Sequence, residues 1–399
     1  MKNRLIFGFA LLGALVMTSC ATDDTADINI TDNSVTNNTT NPGGGTTGNT
    51  IFLSGTYTED LTLDANNNYV VNGSLIMASG TTLTIPPCMT IEALAAGSDV
   101  YIAISQGAKI DAQGTADCPI VFTSNASAPA AGDWGGLILL GDAPINSVAG
   151  NATATSEIAS LPYGGTDTTD NSGILRYVRV QYSGGSADGQ SENNGVSFYG
   201  VGNGTTVEYV QVFEGKDDGF EFFGGTVNAD YISVVNAQDD SIDWTEGYTG
   251  TITNAYVKHG ADHDKGIEAD GFNTDIGNNS SPIYFSNPTV NNLTIVGLGS
   301  ATSSEAIRLR AGTRATFNNV VLEGYGEGFD LDGNATDSPT GAGVTSGETS
   351  VTDILFTDIT LKVKNDTGVT FTDADLITGD GNGTGTDYST WGAGWTVGN

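Results

Sequence analysis

Both histidines of the chain, His259 and His263, fall within a run that also holds Asp262, Asp264, Lys265, Glu268 and Asp270, the densest cluster of ionisable side chains in the sequence. Imidazole and carboxylate together can ligate a transition metal, but this spacing matches no closed zinc site. Acid, base and cation at close quarters can also move protons on a sugar polymer. On that reading Lys265, His263, His259, Arg308 and Arg310 form the catalytic set of a polysaccharide lyase or glycoside hydrolase. The acidic pairs offer a third chemistry. Asp217, Asp218, Asp239 and Asp240, with Asp262 and Asp264, supply the hard oxygen donors that suit calcium. The same pairs also serve as ordinary turn formers that bond their own backbone, and both readings stay open.

A repeat must position these side chains. Asp217-Asp218-Gly219-Phe220-Glu221-Phe222 returns as Asp239-Asp240-Ser241-Ile242-Asp243-Trp244 and as Asp264-Lys265-Gly266-Ile267-Glu268-Ala269. It returns again as Ser304-Glu305-Ala306-Ile307-Arg308-Leu309 and Gly326-Glu327-Gly328-Phe329-Asp330-Leu331, with Asn194-Gly195-Val196-Ser197-Phe198 as an earlier copy. The steps from Asp218 are 22 residues to Asp240, 25 to Lys265, 40 to Glu305 and 22 to Glu327. An insertion over residues 272–288 accounts for the long step, and long loops on a rigid scaffold are where binding tends to reside. A period in this range marks a stacked-repeat protein. Each copy alternates apolar and polar residues after a turn, the pattern of a strand with one face in a core. A Leu-x-x-Leu-x-Leu signature is missing, and a propeller blade needs about 40 residues or more. The expected fold is all-β: a right-handed parallel β-helix forming a single elongated domain.

If the apolar pairs point inward, the residues between them form an outer column: Ser197, Glu221, Asp243, Glu268, Arg308, Asp330. A parallel column runs Tyr199, Phe223, Thr245, Asp270, Arg310, Asp332. Carboxylates on neighbouring coils, about 4.8 Å apart, repel by about 0.9 kcal/mol in water and about 3.5 kcal/mol at an effective dielectric of 20. Arg308 and Arg310 sit between acidic rungs and can compensate them. The expected ligand-binding face is therefore Glu221, Phe223, Asp243, Glu268, Asp270, Arg308, Arg310, Asp330 and Asp332.

Thirteen basic residues against 47 acidic ones give a formal charge of -34. That balance argues against nucleic acid as a partner and against adsorption to anionic headgroups. No Gly-rich phosphate loop stands between a strand and a helix, and no nucleophile-elbow serine is found.

Residues 1–20 carry Lys2 and Arg4, an apolar run and a small-residue ending at Cys20, the layout of a signal peptide. The Ser19-Cys20 ending resembles the lipobox of bacterial lipoproteins, which makes Cys20 the expected lipidation site. Residues 21–50 are too polar to order themselves and read as a flexible tether. Residues 51–146 read as N-terminal coils and cap, 147–333 as central repeats with the charged face, and 334–399 as C-terminal coils and cap. With Cys20 lipidated, Cys88 and Cys118 remain, and outside the cytoplasm such a pair is usually oxidised; two free buried thiols are the alternative. A bridge would contribute roughly 3 kcal/mol.

The longest motifs resemble an exported β-helix lipoprotein family of Bacteroidota. They are Thr-Leu-Thr-Ile-Pro-Pro at 82–87, Cys-Pro-Ile-Val-Phe-Thr-Ser at 118–124, the run at 132–141, Tyr163-Gly164-Gly165, the run at 175–180, and Asp-Asp-Gly-Phe-Glu-Phe-Phe-Gly-Gly-Thr-Val at 217–227. The likeness covers roughly residues 50–335. It implies a lipid-anchored outer-membrane protein exposed at the cell surface, possessing no established catalytic residues, with a place beside nutrient-uptake receptors. Some members of that family are labelled transporters, yet no membrane-spanning helix follows the signal here. Asn273-Thr274-Asp275, Asp239-Asp240 and His259-Gly260 each resemble polygalacturonase motifs, in an order that departs from that family.

The leading expectation is a non-enzymatic surface lipoprotein whose charged face binds an extracellular glycan or docks an outer-membrane protein partner, with calcium as a possible support. The lyase or hydrolase centred on Lys265 and Arg308 is the alternative. A structural surface spacer is the third reading.

Overall fold

The computed structural model describes residues 48–186, 193–274 and 280–398. Residues 1–20 with Cys20, the tether up to residue 47, and Asp275 lie outside the described residues.

The apolar alternation drives the short strands Val196–Tyr199, Phe220–Phe223, Ile242–Thr245, Ile267–Asp270 and Glu305–Arg310. Val196 and Phe198, Phe220 and Phe222, Ile242 and Trp244, Ile267 and Ala269, Ile307 and Leu309, and Phe329 and Leu331 are all at most 1% exposed. Each large side chain buried this way contributes on the order of 1.5 to 3 kcal/mol, so a one-residue slip would be ruinous. Each strand pairs in parallel with its counterpart one coil on, continuing through Thr316–Asp332 to Ser350–Asp366. Among the described residues 22 strands join one parallel sheet wound as a right-handed β-helix. The turn before each ladder strand leaves little room. A Cβ on Gly219 would lie 2.5 Å from the Ser241 carbonyl oxygen and 2.7 Å from the Val234 side chain, so this copy needs glycine.

The longer strand of each coil bends at one residue in the left-handed conformation. Tyr177, Tyr209, Tyr231, Asn254, Asn292, Asn319 and Asp353 hold this place, with φ between 49° and 60°. Asparagine tolerates this conformation through local hydrogen bonding, whereas tyrosine is strained there by roughly 1 to 2 kcal/mol. Stacking offsets the strain: the rings of Tyr177 and Tyr209 are 4.4 Å apart, and those of Tyr209 and Tyr231 4.3 Å. The asparagines continue the column through amide bonds, with Asn292 Nδ2 donating to Asn254 Oδ1 at 3.1 Å and Asn319 Nδ2 to Asn292 Oδ1 at 2.8 Å.

Cys88 and Cys118 are bridged across neighbouring coils, their Cα atoms 4.4 Å apart. The C-terminal end of the core is closed by the short helices Thr340–Ser346 and Asp373–Leu376, which bury Val344 and Leu376. The remaining chain does not simply finish as a last coil and cap. From Thr384 it runs back across the outside of earlier coils, where its aromatic residues find partners on Tyr256 and on the tyrosine column. Tyr388 stacks on Tyr256 at 3.8 Å, Trp391 meets Tyr231, and Trp395 meets Tyr177 and Tyr209 edge-on. Gln211 and Ser233, otherwise facing outward, become fully buried beneath this strap; Gln211 exchanges two 2.9 Å hydrogen bonds with the Val397 backbone.

Candidate functional site

The strand register brings Ser197, Glu221, Asp243, Glu268, Arg308 and Asp330 into one outer column, and Lys364 extends it by a rung. The neighbouring column pairs Tyr199 with Phe223, Phe223 with Thr245, Asp270 with Arg310 and Asp332 with Asp366. On the turn side stand Asn194, Asp218, Asp240, Lys265, Glu305 and Glu327.

Much of this face is buried, which differs from the open ladder that alternation alone suggests. Glu268 is 7% exposed, Asp270 5% and Asp330 1%. Phe223 is buried too. It stacks on Tyr199 with rings 4.0 Å apart, beneath Ile145, Ile158 and Tyr163 from residues 142–165, so its ring packs in a second apolar cluster instead of facing solvent. Tyr163 fastens that cover by donating to Glu246 Oε2 at 2.8 Å, and Asn273 Nδ2 donates to Glu246 Oε1 at 2.9 Å.

The cations are committed to carboxylates. Lys265, only 5% exposed, holds Nζ at 3.0 Å from Glu268 Oε1 and 3.8 Å from Asp240 Oδ1, and also pairs with Asp264. Arg310 pairs with Glu268 and Asp270, and Arg308 with Asp332 and, at 4.0 Å, with Glu268. Lys364 lies 3.1 Å from Asp330, 3.4 Å from Glu327 and 3.6 Å from Asp366. Burial alone would pull the pKa of Lys265 down, but Asp240 and Glu268 outweigh it and push the pKa up. Burial likewise opposes, and Asp270 and Glu268 overcome, the charge on Arg310, whose pKa also rises.

Toward the N-terminal side the face is acidic without such relief. Asp218, Glu221 and Asp243 each bring a carboxylate oxygen within 4.8 Å of the other two. Burial pushes all three well up, followed by mutual repulsion: Asp240 and Asp243 act on Asp218, Asp243 acts on Glu221, and Glu268 and Asp240 act on Asp243. Asp240 is raised in the same way, by burial and then by Glu268. Asn194 Nδ2 donates to Glu221 Oε2 at 2.6 Å, and the Asp240 N–H donates to Asp218 Oδ1 at 2.9 Å. Asp243 Oδ1 is sealed from solvent and accepts no hydrogen bond.

The six aspartates suggested for calcium lie along the turns beside the ladder. Asp217, Asp218 and Asp239 form one group with oxygens within 4.8 Å, Asp239, Asp240 and Asp264 form another, and Asp262 is exposed. The histidines stack on each other with ring centres 4.2 Å apart. His259 is 4% exposed, has its Nδ1 3.0 Å from the Tyr325 hydroxyl, and is pulled down to about 3 by burial and then by His263.

Residues 55–396 match the pectate-lyase-like β-helix domain. The chain belongs to the pectate-lyase-like β-helix family. No curated protein and no solved structure matches it. In this member of the pectate-lyase-like β-helix family the outer face is a ladder of paired charges. Lys364 and Asp366 continue the alternation Leu361-Lys362-Val363-Lys364-Asn365-Asp366, one rung beyond the repeat ending at Leu331. Nothing local marks Tyr163, Glu246 and Asn273 as a group, since they meet across 83 and 27 residues of chain.

Proposed function

We propose that this protein is a glycan-binding β-helix that holds an extracellular polysaccharide along the charged ladder. The observation supporting this best is the register-locked column from Ser197 to Lys364. It sets half-exposed Arg308, Arg310 and Lys364 beside carboxylates at one-coil spacing, a rigid row of donors and acceptors for successive hydroxyls. Family membership agrees with a protein that acts on or binds polysaccharide. Attachment through a lipidated Cys20 at the cell surface belongs to the same proposal, as does calcium held by the turn aspartates, whose hard oxygens suit that ion.

A lyase at Lys265 is the weaker reading. A base must be neutral when it takes the proton, and Asp240 and Glu268 hold this ammonium charged. Electrophoresis of the protein through gels cast with different polysaccharides, with calcium present, tests the proposal. Retardation that Arg308→Ala with Arg310→Ala abolishes supports a binding face. Cleared glycan behind the band would overturn a binding-only role, and free migration in every gel would overturn glycan binding.

A further inference from the structure

The two ladder columns do not begin at Ser197 and Tyr199. The strand register carries the first back through Ile138 and Ala103, and the second back to Leu140, so both turn apolar toward the N-terminal end. Ala103, Ile138, Leu140, Ser197, Tyr199 and Phe223 are at most 3% exposed. Ile145, Ile158 and Tyr163 pack across this part of the face and form the second apolar cluster with it. The cover is tied to the scaffold at several points. Tyr163 donates to Glu246 Oε2 at 2.8 Å, the Asn146 N–H donates to the Glu246 carbonyl at 2.7 Å, and Asn146 Nδ2 donates to the Ser281 carbonyl at 2.9 Å.

Beyond this cover the ladder opens. Side-chain exposure reaches 31% at Arg308, 34% at Lys364 and 57% at Asp366. From Asp243 to Lys364 the column takes four coil steps, which makes about 19 Å, room for roughly four sugar rings. Ser350–Asp366 is the last strand on this wall, since Ile377–Asp380 pairs with it only over residues 351–354. The face is therefore walled at one end and runs out into solvent at the other.

We infer that the ladder takes the end of a glycan chain, with the terminal sugar stopped at residues 142–165 and the rest of the chain leaving past Lys364. The inference rests on the glycan-binding reading above and adds which part of the polymer is bound. A chain passing straight through would have to unseat the cover. That would expose Ile145, Ile158 and Tyr163 to water and take from Glu246, itself 1% exposed, the donor that Tyr163 supplies.

Titration calorimetry of the full chain with linear xylan, mannan and galacturonan, each offered as short oligomers and as long chains, tests this. An end of one kind occurs once per chain. One protein should therefore bind per chain at every length, with an affinity per chain that levels off beyond roughly four sugars. Several proteins on each long chain, in numbers that grow with its length, would overturn the chain-end mode while leaving glycan binding standing. Binding that Arg308→Ala with Arg310→Ala leaves intact would put the glycan elsewhere and overturn the ladder as its site, and the chain-end mode with it. Binding of none of the three glycans would overturn both.

Discussion

Lys265 and Glu268 face each other on one rung with Nζ 3.0 Å from Oε1 and both side chains more than nine-tenths buried. Each charge is largely withdrawn from water and held by its partners, Lys265 also by Asp240 and Asp264 and Glu268 also by Arg310 and Arg308. Lys265→Met leaves Asp240 buried without a cation and Glu268 with only Arg310 and Arg308, and should cost about 3 kcal/mol. Adding Glu268→Gln should return part of that loss. Urea unfolding of the two variants measures it, and a single variant as stable as the parent would contradict the pairing.

The acidic cluster sets a pH dependence of definite sign. The pKa values of Asp218, Glu221, Asp240 and Asp243 are raised in the folded chain, by burial first and neighbouring carboxylates second. The folded state then keeps protons that the unfolded state has lost. Their contribution is full below the ordinary carboxylate range, about 4, and is lost as pH rises through the folded values. In the absence of added cation, Asp243→Asn should raise the urea midpoint more at pH 8 than at pH 5. Equal shifts at the two pH values would contradict the strain.

His259 acts in the opposite direction. Pulled down to about 3 from 6.5, it stays neutral when folded, so its contribution is present above about 6.5 and is lost as pH falls toward 3. The loss is on the order of 5 kcal/mol. The stability difference between the parent and His259→Gln should therefore shrink by several kcal/mol between pH 7 and pH 4. A constant difference across that range would show that the ring is not held neutral.

The ladder was legible because two constraints coincide in it: apolar residues two apart, and a spacing near 22 that returns them to the same wall. Ser197, Glu221 and Asp243 could be set in one column from those facts alone. The covering of that column was not legible. Ile145 and Tyr163 bury Phe223 from far along the chain, and no local pattern in residues 142–165 says where they land. The same holds for Trp395, whose partners Arg179 and Tyr177 lie more than 200 residues earlier.

Trp395 is fully buried, with its carbonyl accepting from Arg179 Nη1 at 3.0 Å. Trp395→Ala should cost about 3 to 5 kcal/mol. Hydrogen exchange locates the effect: the amides around Gln211 and Ser233 should lose protection well before those near Cys88 and Cys118. Uniform loss along the whole helix, or none at Gln211, would show that the strap does not clamp these coils.

The strap also bears on the order of assembly. A solenoid emerging from the ribosome or a translocation pore can wind coil upon coil as each length arrives, because every rung needs only its neighbour. The rungs carrying Gln211 and Ser233 are an exception. They are wound early, yet their outer polar groups wait for residues 386–398, synthesised more than 150 positions later. Winding is thus sequential while tightening is deferred, and the middle of the helix reports on whether its far end has arrived.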